Sequence, residues 1–121
     1  MSNSTGSNQR YETVVGYKIS DLILATRIEE ICRAKGKRFA RTGSLGALEV
    51  TLHENNLVVC DLILVSNELE LLKKVANERG CRVFGYYPHV DKNTETLARS
   101  TGIDFVVPRS AMQGKLRSIL N

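Results

Sequence analysis

Residues 85–91 of this 121-residue chain read GYYPHVD and bring two tyrosines, a proline, a histidine and an acid together. Tyr86 and Tyr87 each carry a large apolar body with a polar tip, and His89 is of the side-chain type that titrates near neutral pH. With Asp91, Arg109 and Ser110, His89 has the makings of a seat for a small anion or a partner's side chain. The plainer reading is a stiff turn, with Pro88 fixing φ and Asp91 capping the helix that follows. Asp21 reads in the same two ways, as half of a metal site or as the acid that a helix N-terminus favours.

Other chemistries are excluded by what the chain lacks. No GxGxxG, Walker A or GxSxG motif occurs, and Gly6, Gly43 and Gly46 build no phosphate cradle. Cys32, Cys60 and Cys81 are odd in number and widely spaced, and no CxxC or Cys/His ligand spacing exists. Each sits in an apolar stretch and reads as a small buried hydrophobe in a reducing compartment. His53 reads as a favourable residue near the end of a helix. No catalytic residue, cofactor or metal is therefore expected.

The elements that must position these residues follow from pattern. The chain is 42% hydrophobic and 25% charged, which suits a globular domain rather than a disordered chain. No apolar run approaches the ~20 residues that span a bilayer. Residues 1–10 are Ser/Asn/Gly-rich and lack an apolar h-region, so they are expected to form a disordered tail rather than a signal peptide, leaving a single domain over residues 11–121. Strands are expected at 13–19, 38–41, 57–65, 81–87 and 103–107, where short β-branched or apolar runs occur.

Helices are expected over 21–35, 44–54, 68–79 and 91–101, with a last one opening at Ser110. Asp21, Ser44 and Asp91 supply N-caps, while Asn67 with Glu70 and Ser110 with Gln113 read as capping boxes. Gly36, Gly80 and Gly102 mark helix ends. Strands alternating with helices at this rhythm predict an α/β three-layer sandwich: a five-stranded parallel sheet, flavodoxin-like, in strand order 2-1-3-4-5.

Ligands of such sheets bind beyond the carboxyl ends of the strands. That edge should carry Ser20 and Asp21, residues 66–68, residues 87–91 and residues 108–110. Asp61, at the opening of a strand over 57–65, should point to the opposite edge.

The βα rhythm, the phrase DLILVS at 61–66 and the ending GIDFVVPRS at 102–110 resemble the receiver domains of two-component response regulators. The resemblance covers residues 13–121. It implies magnesium-assisted phosphoryl transfer onto an aspartate, using an acidic pair after strand 1 and an acceptor Asp after strand 3. It further implies a Ser or Thr after strand 4 and a Lys after strand 5. On the expected boundaries these positions fall on Ile19 and Ser20 beside Asp21, on Ser66, on Tyr87 and on Pro108, with Arg109 displaced by one. All depart from the pattern, so the resemblance implies a pseudo-receiver without phosphorylation chemistry. Phe105 falls where receivers carry a switch aromatic, on the docking face of helix 4, strand 5 and helix 5.

Charge is concentrated. Residues 32–41 hold Arg33, Lys35, Lys37, Arg38 and Arg41 and no acid, and the rest of the chain has 12 basic against 13 acidic side chains, so this stretch accounts for the net charge of +4. Basic residues beside an edge strand discourage edge-to-edge pairing; the alternative is weak, salt-sensitive, non-specific contact with nucleic acid or another polyanion. The leading expectation is a cytoplasmic, non-catalytic signalling and protein-interaction domain, with a protein partner and a homodimer as its mode of action. A polyanion-binding protein, and a ligand binder or small enzyme using Tyr86, His89, Phe105, Arg109 and Ser110 along the sheet edge, are the alternatives.

Overall fold

A computed structural model describes residues 11–88 and 90–121. The expected tail and His89 lie outside the described residues. The elements are β1 (Thr13–Tyr17), α1 (Leu22–Ala34), β2 (Arg38–Thr42), α2 (Leu45–Thr51), β3 (Leu57–Asp61), α3 (Leu69–Glu78), β4 (Arg82–Tyr87), α4 (Lys92–Thr101), β5 (Phe105–Pro108) and α5 (Met112–Ile119). The strands pair in parallel in the order β2-β1-β3-β4-β5, as the alternation predicts.

Alternation along each strand sorts side chains into two cores. Val58 and Cys60 of β3, with Val83 and Tyr87 of β4, face Leu48, Leu69, Leu72, Ala76 and Ala98 of α2, α3 and α4. Leu57 and Val59, with Phe84 and Tyr86, face Ile28 and Cys32 of α1 and Met112 and Leu116 of α5. Burial on both faces explains why β3 reads as a continuous apolar run.

Helix starts and stops are partly as predicted. Asp21 accepts from the Leu24 N–H at 3.0 Å, Ser44 from Ala47 at 3.1 Å and Asp91 from Thr94 at 2.9 Å. Gly36, Gly80 and Gly102 sit at φ 70°, 69° and 88°, where a side chain would be strained. The two capping boxes do not form. α3 is entered through a 3₁₀ turn at Ser66–Glu68 and α5 through another at Arg109–Ala111, and neither helix has a side-chain cap. α2 ends at Thr51, which leaves His53 beyond the helix, its N–H donating to Asn56 Oδ1 at 2.9 Å.

The important difference is at β3. The expected strand over 57–65 stops at Asp61. The Asp61 carboxylate accepts from the Ile63 N–H at 2.9 Å, turning the chain, and the Leu62 N–H donates to Tyr86 O at 3.0 Å. The Leu62 side chain is fully buried against Gly85, where a Cβ would stand 2.6 Å from Leu62 Cγ. The LILV that reads as strand is a turn folded over the sheet edge.

Candidate functional site

The shortened β3 moves the acid. Asp61 is the last residue of β3 and stands opposite Tyr86 in the register, at the carboxyl edge and not the opposite one. The strand-end position assigned to Ser66 therefore belongs to Asp61; Ser66 opens the 3₁₀ turn five residues later, its hydroxyl 3.3 Å from Asn67 Oδ1. β1 likewise ends at Tyr17 rather than Ile19, so Ile19 and Ser20 lie in the loop, Ile19 buried and Ser20 exposed.

Side-chain alternation puts Asp61 on the side of Leu57 and Val59, together with Tyr86. There it joins Asp21 and Arg109. Asp21 Oδ1 caps α1, and Asp21 Oδ2 accepts from Arg109 Nη2 in a short ion pair that ties the loop after β1 to the loop after β5. The Leu24 N–H and then the Arg109 guanidinium hold the Asp21 carboxyl below its ordinary pKa. The bond from Asp21 raises Arg109 above its ordinary value against the effect of burial, and the fields of Asp21, Tyr86 and Asp61 add to it. Burial, and then the Asp61 charge, push the Tyr86 hydroxyl upward, so it stays protonated.

The magnesium ion that the receiver resemblance implies fits this donor set poorly. Mg²⁺ needs near-octahedral oxygen ligands and is commonly anchored by one or two carboxylates. Of the two acids here, Asp21 has one oxygen on its own helix and the other on Arg109. Among the described residues, no group of three His, Cys, Asp or Glu side chains stands close enough to hold a metal ion. The other receiver positions carry Tyr87, buried and facing Glu95 and Arg99 of α4, and Pro108, paired with Tyr87 in the sheet register. Ser110 lies exposed in the 3₁₀ turn.

Phe105 opens β5, which begins two residues later than expected. Its half-buried ring packs 6.0 Å from Phe84, with Lys115 Nζ 6.0 Å away, on the α1/α5 side and not against α4. Tyr86 and Arg109 come together as expected; Phe105 stands opposite Phe84, two residues before Tyr86 along β4, in the same core cluster.

A second cluster was not foreseen. Lys18 Nζ donates to Glu68 Oε2 at 2.5 Å, and Tyr17 Oη donates to Glu68 Oε1 at 2.8 Å. Burial works to raise the Glu68 carboxyl, but Lys18 and Tyr17 outweigh it and hold the group below its ordinary value. Lys18 takes a left-handed φ of 54°, which a non-glycine residue adopts at a cost of ~1 kcal/mol, with its N–H on Thr42 O at 2.9 Å. The pairing residues are 50 apart in sequence, so no local motif announces them.

The basic stretch does not form one patch. Arg33, Lys35, Lys37 and Arg38 cluster where α1 ends and β2 begins, with Lys35 Nζ on Asn121 Oδ1 at 3.0 Å. Arg41 lies near the other end of β2, and its Nη2 donates to Ile19 O at 2.6 Å.

No protein-family model matches the chain, and no curated protein is significantly similar to it. Solved structures are. A response regulator from Thermotoga maritima superposes with a TM-score of 0.70 at 15% identity, over 91% of this chain and 98% of that one. The beryllofluoride-activated NtrC4 receiver domain dimer superposes with a TM-score of 0.65 at 11% identity, over 90% of this chain and 96% of its own. The fold is that of response-regulator receiver domains. Among the described residues, no helix is long and apolar enough to cross a membrane.

Proposed function

We propose that the chain is a receiver-fold signalling domain of the cytoplasm that works by docking to protein partners, as a homodimer, and catalyses no phosphoryl transfer onto itself. The observation that carries this reading is the Asp21–Arg109 ion pair. The Arg109 guanidinium engages Asp21, so one of the two edge carboxylates is already bound by the chain itself. Tyr87 and Pro108 stand where the resemblance asks for a hydroxyl and a lysine that contact a phosphoryl group, and neither suits that work. The NtrC4 neighbour is a receiver domain dimer, which makes self-association the first partner to look for.

The test is exposure to acetyl phosphate and Mg²⁺ followed by intact-mass spectrometry. Unmodified protein is the expected result. A stoichiometric phosphate adduct that disappears in Asp61→Asn would overturn the non-catalytic reading and make Asp61 an acceptor. Sedimentation at micromolar concentration tests the dimer.

A further inference from the structure

Away from the Asp61 cluster, a solvent-open cavity of about 580 Å³ lies at the carboxyl edge between β1 and β2. Residues 18–20 and 41–43 form its sides, and Leu64, from the turn after β3, adds an apolar wall. Its size is that of small-molecule sites, which combine apolar walls with a few fixed polar groups. We infer that this cavity binds a small organic anion with an apolar body, its charged head on Arg41 and Lys18 and its body against Ile19 and Leu64.

Charge bookkeeping points to the head. Lys18 is matched by Glu68, but Arg41 has no carboxylate partner among the described residues, so the site is left with one uncompensated cation. The Arg41 bond to Ile19 O uses one of the five guanidinium donors and fixes the group in place, and the remaining donors suit a carboxylate or phosphate. Hydrophobic surface points to the body. Leu64 is 46% exposed and Ile63 41%, between the buried Leu62 and Val65, and of the two exposed side chains Leu64 lines the cavity. A Cβ at Gly43 would meet nothing within 4 Å, so the backbone there is open to a ligand. The loop is already braced by Lys18 N–H on Thr42 O and by Thr42 Oγ1 on Gly16 O at 3.2 Å, which reduces the ordering cost of binding.

Titration of the isotope-labelled protein with phenyl phosphate and with benzoate, followed by amide NMR, tests this. At least one should give saturable shifts at Ser20, Thr42 and Gly43, phenyl phosphate identifying a phosphate head and benzoate a carboxylate head. Inorganic phosphate and phenol should each bind at least about tenfold more weakly, because each supplies half of the match. Arg41→Gln should weaken the organic anion about tenfold, and Arg41→Lys, which keeps the charge, should bind more tightly than Arg41→Gln. Absence of shifts at these amides with both anions, equal binding of phenol, or an Arg41→Gln variant that binds as well as the parent would overturn the assignment.

Discussion

Replacing Gly85 by alanine probes the turn that places Asp61. A Cβ at Gly85 would stand 2.6 Å from Leu62 Cγ and 2.9 Å from Cδ1, both inside the 3.0 Å that real contacts observe. Leu62 is fully buried, so it has nowhere to retreat without moving the turn after β3. Overpacking of this kind costs ~1–3 kcal/mol, and the reduced entropy of the unfolded chain returns ~0.4–1 kcal/mol, leaving ~1–2 kcal/mol of net destabilisation. For a domain of this size that is roughly a 4–8 °C loss in Tm. Leu62→Ala alone should cost ~2–5 kcal/mol through the cavity it leaves. In that background the clash is gone, and Gly85→Ala should become neutral or mildly stabilising. Urea unfolding of the four proteins of the cycle, compared at constant m-value, measures the coupling directly. Additive single-mutant costs would mean that Leu62 does not rest on Gly85, and the turn that brings Asp61 to the edge would lose its physical basis.

Two further substitutions probe the edge. Arg109→Gln removes the cation between Asp21 and Asp61, so Mg²⁺ should bind at least about tenfold more tightly than to the parent, read from amide shifts at both acids; because the ion pair is half exposed, stability should barely change. Glu68 has a depressed carboxyl pKa, so its contribution to stability is present above its unfolded value and is lost as pH falls through the lower folded one. Glu68→Gln should therefore be less stable than the parent by about 1 kcal/mol at pH 7, and the gap should close on acidification below the ordinary carboxylate range, followed by urea unfolding against pH.

The architecture was legible because it rests on short-range chemistry. Apolar runs such as LVVC, the caps at Asp21, Ser44 and Asp91, and the glycines at 36, 80 and 102 act on their immediate neighbours, and all form as read. The end of β3 was not legible. DLILV has the composition of a strand, and what breaks it is Leu62 meeting Gly85 of another strand, together with the Asp61 carboxylate reaching forward two residues to accept from the Ile63 N–H. One local signal existed: a charged residue inside an otherwise apolar nine-residue run is where a central strand of ordinary length would end. The edge pairs were beyond local reasoning, since Asp21 and Arg109 are 88 residues apart and the topology alone brings them together.

That topology also divides the edge into two electrostatic compartments. With β1 between β2 and β3, the loop after β1 faces both ways. Toward β3, β4 and β5 it presents Asp21, which with Asp61 and Arg109 leaves a net charge of one minus. Toward β2 it presents Lys18, which with Arg41 and Glu68 leaves one plus. The same loop is tied on one side to the turn before α5 and on the other to the turn before α3, so a charge arriving in either compartment acts on a shared, braced segment. An anion seated on Arg41 would compete with Glu68 for Lys18, and the Lys18–Glu68 bond is what ties this loop to the 3₁₀ turn Ser66–Glu68 that leads into α3. The Lys18–Glu68 pair thus connects the positively charged compartment of the edge to the turn that opens α3.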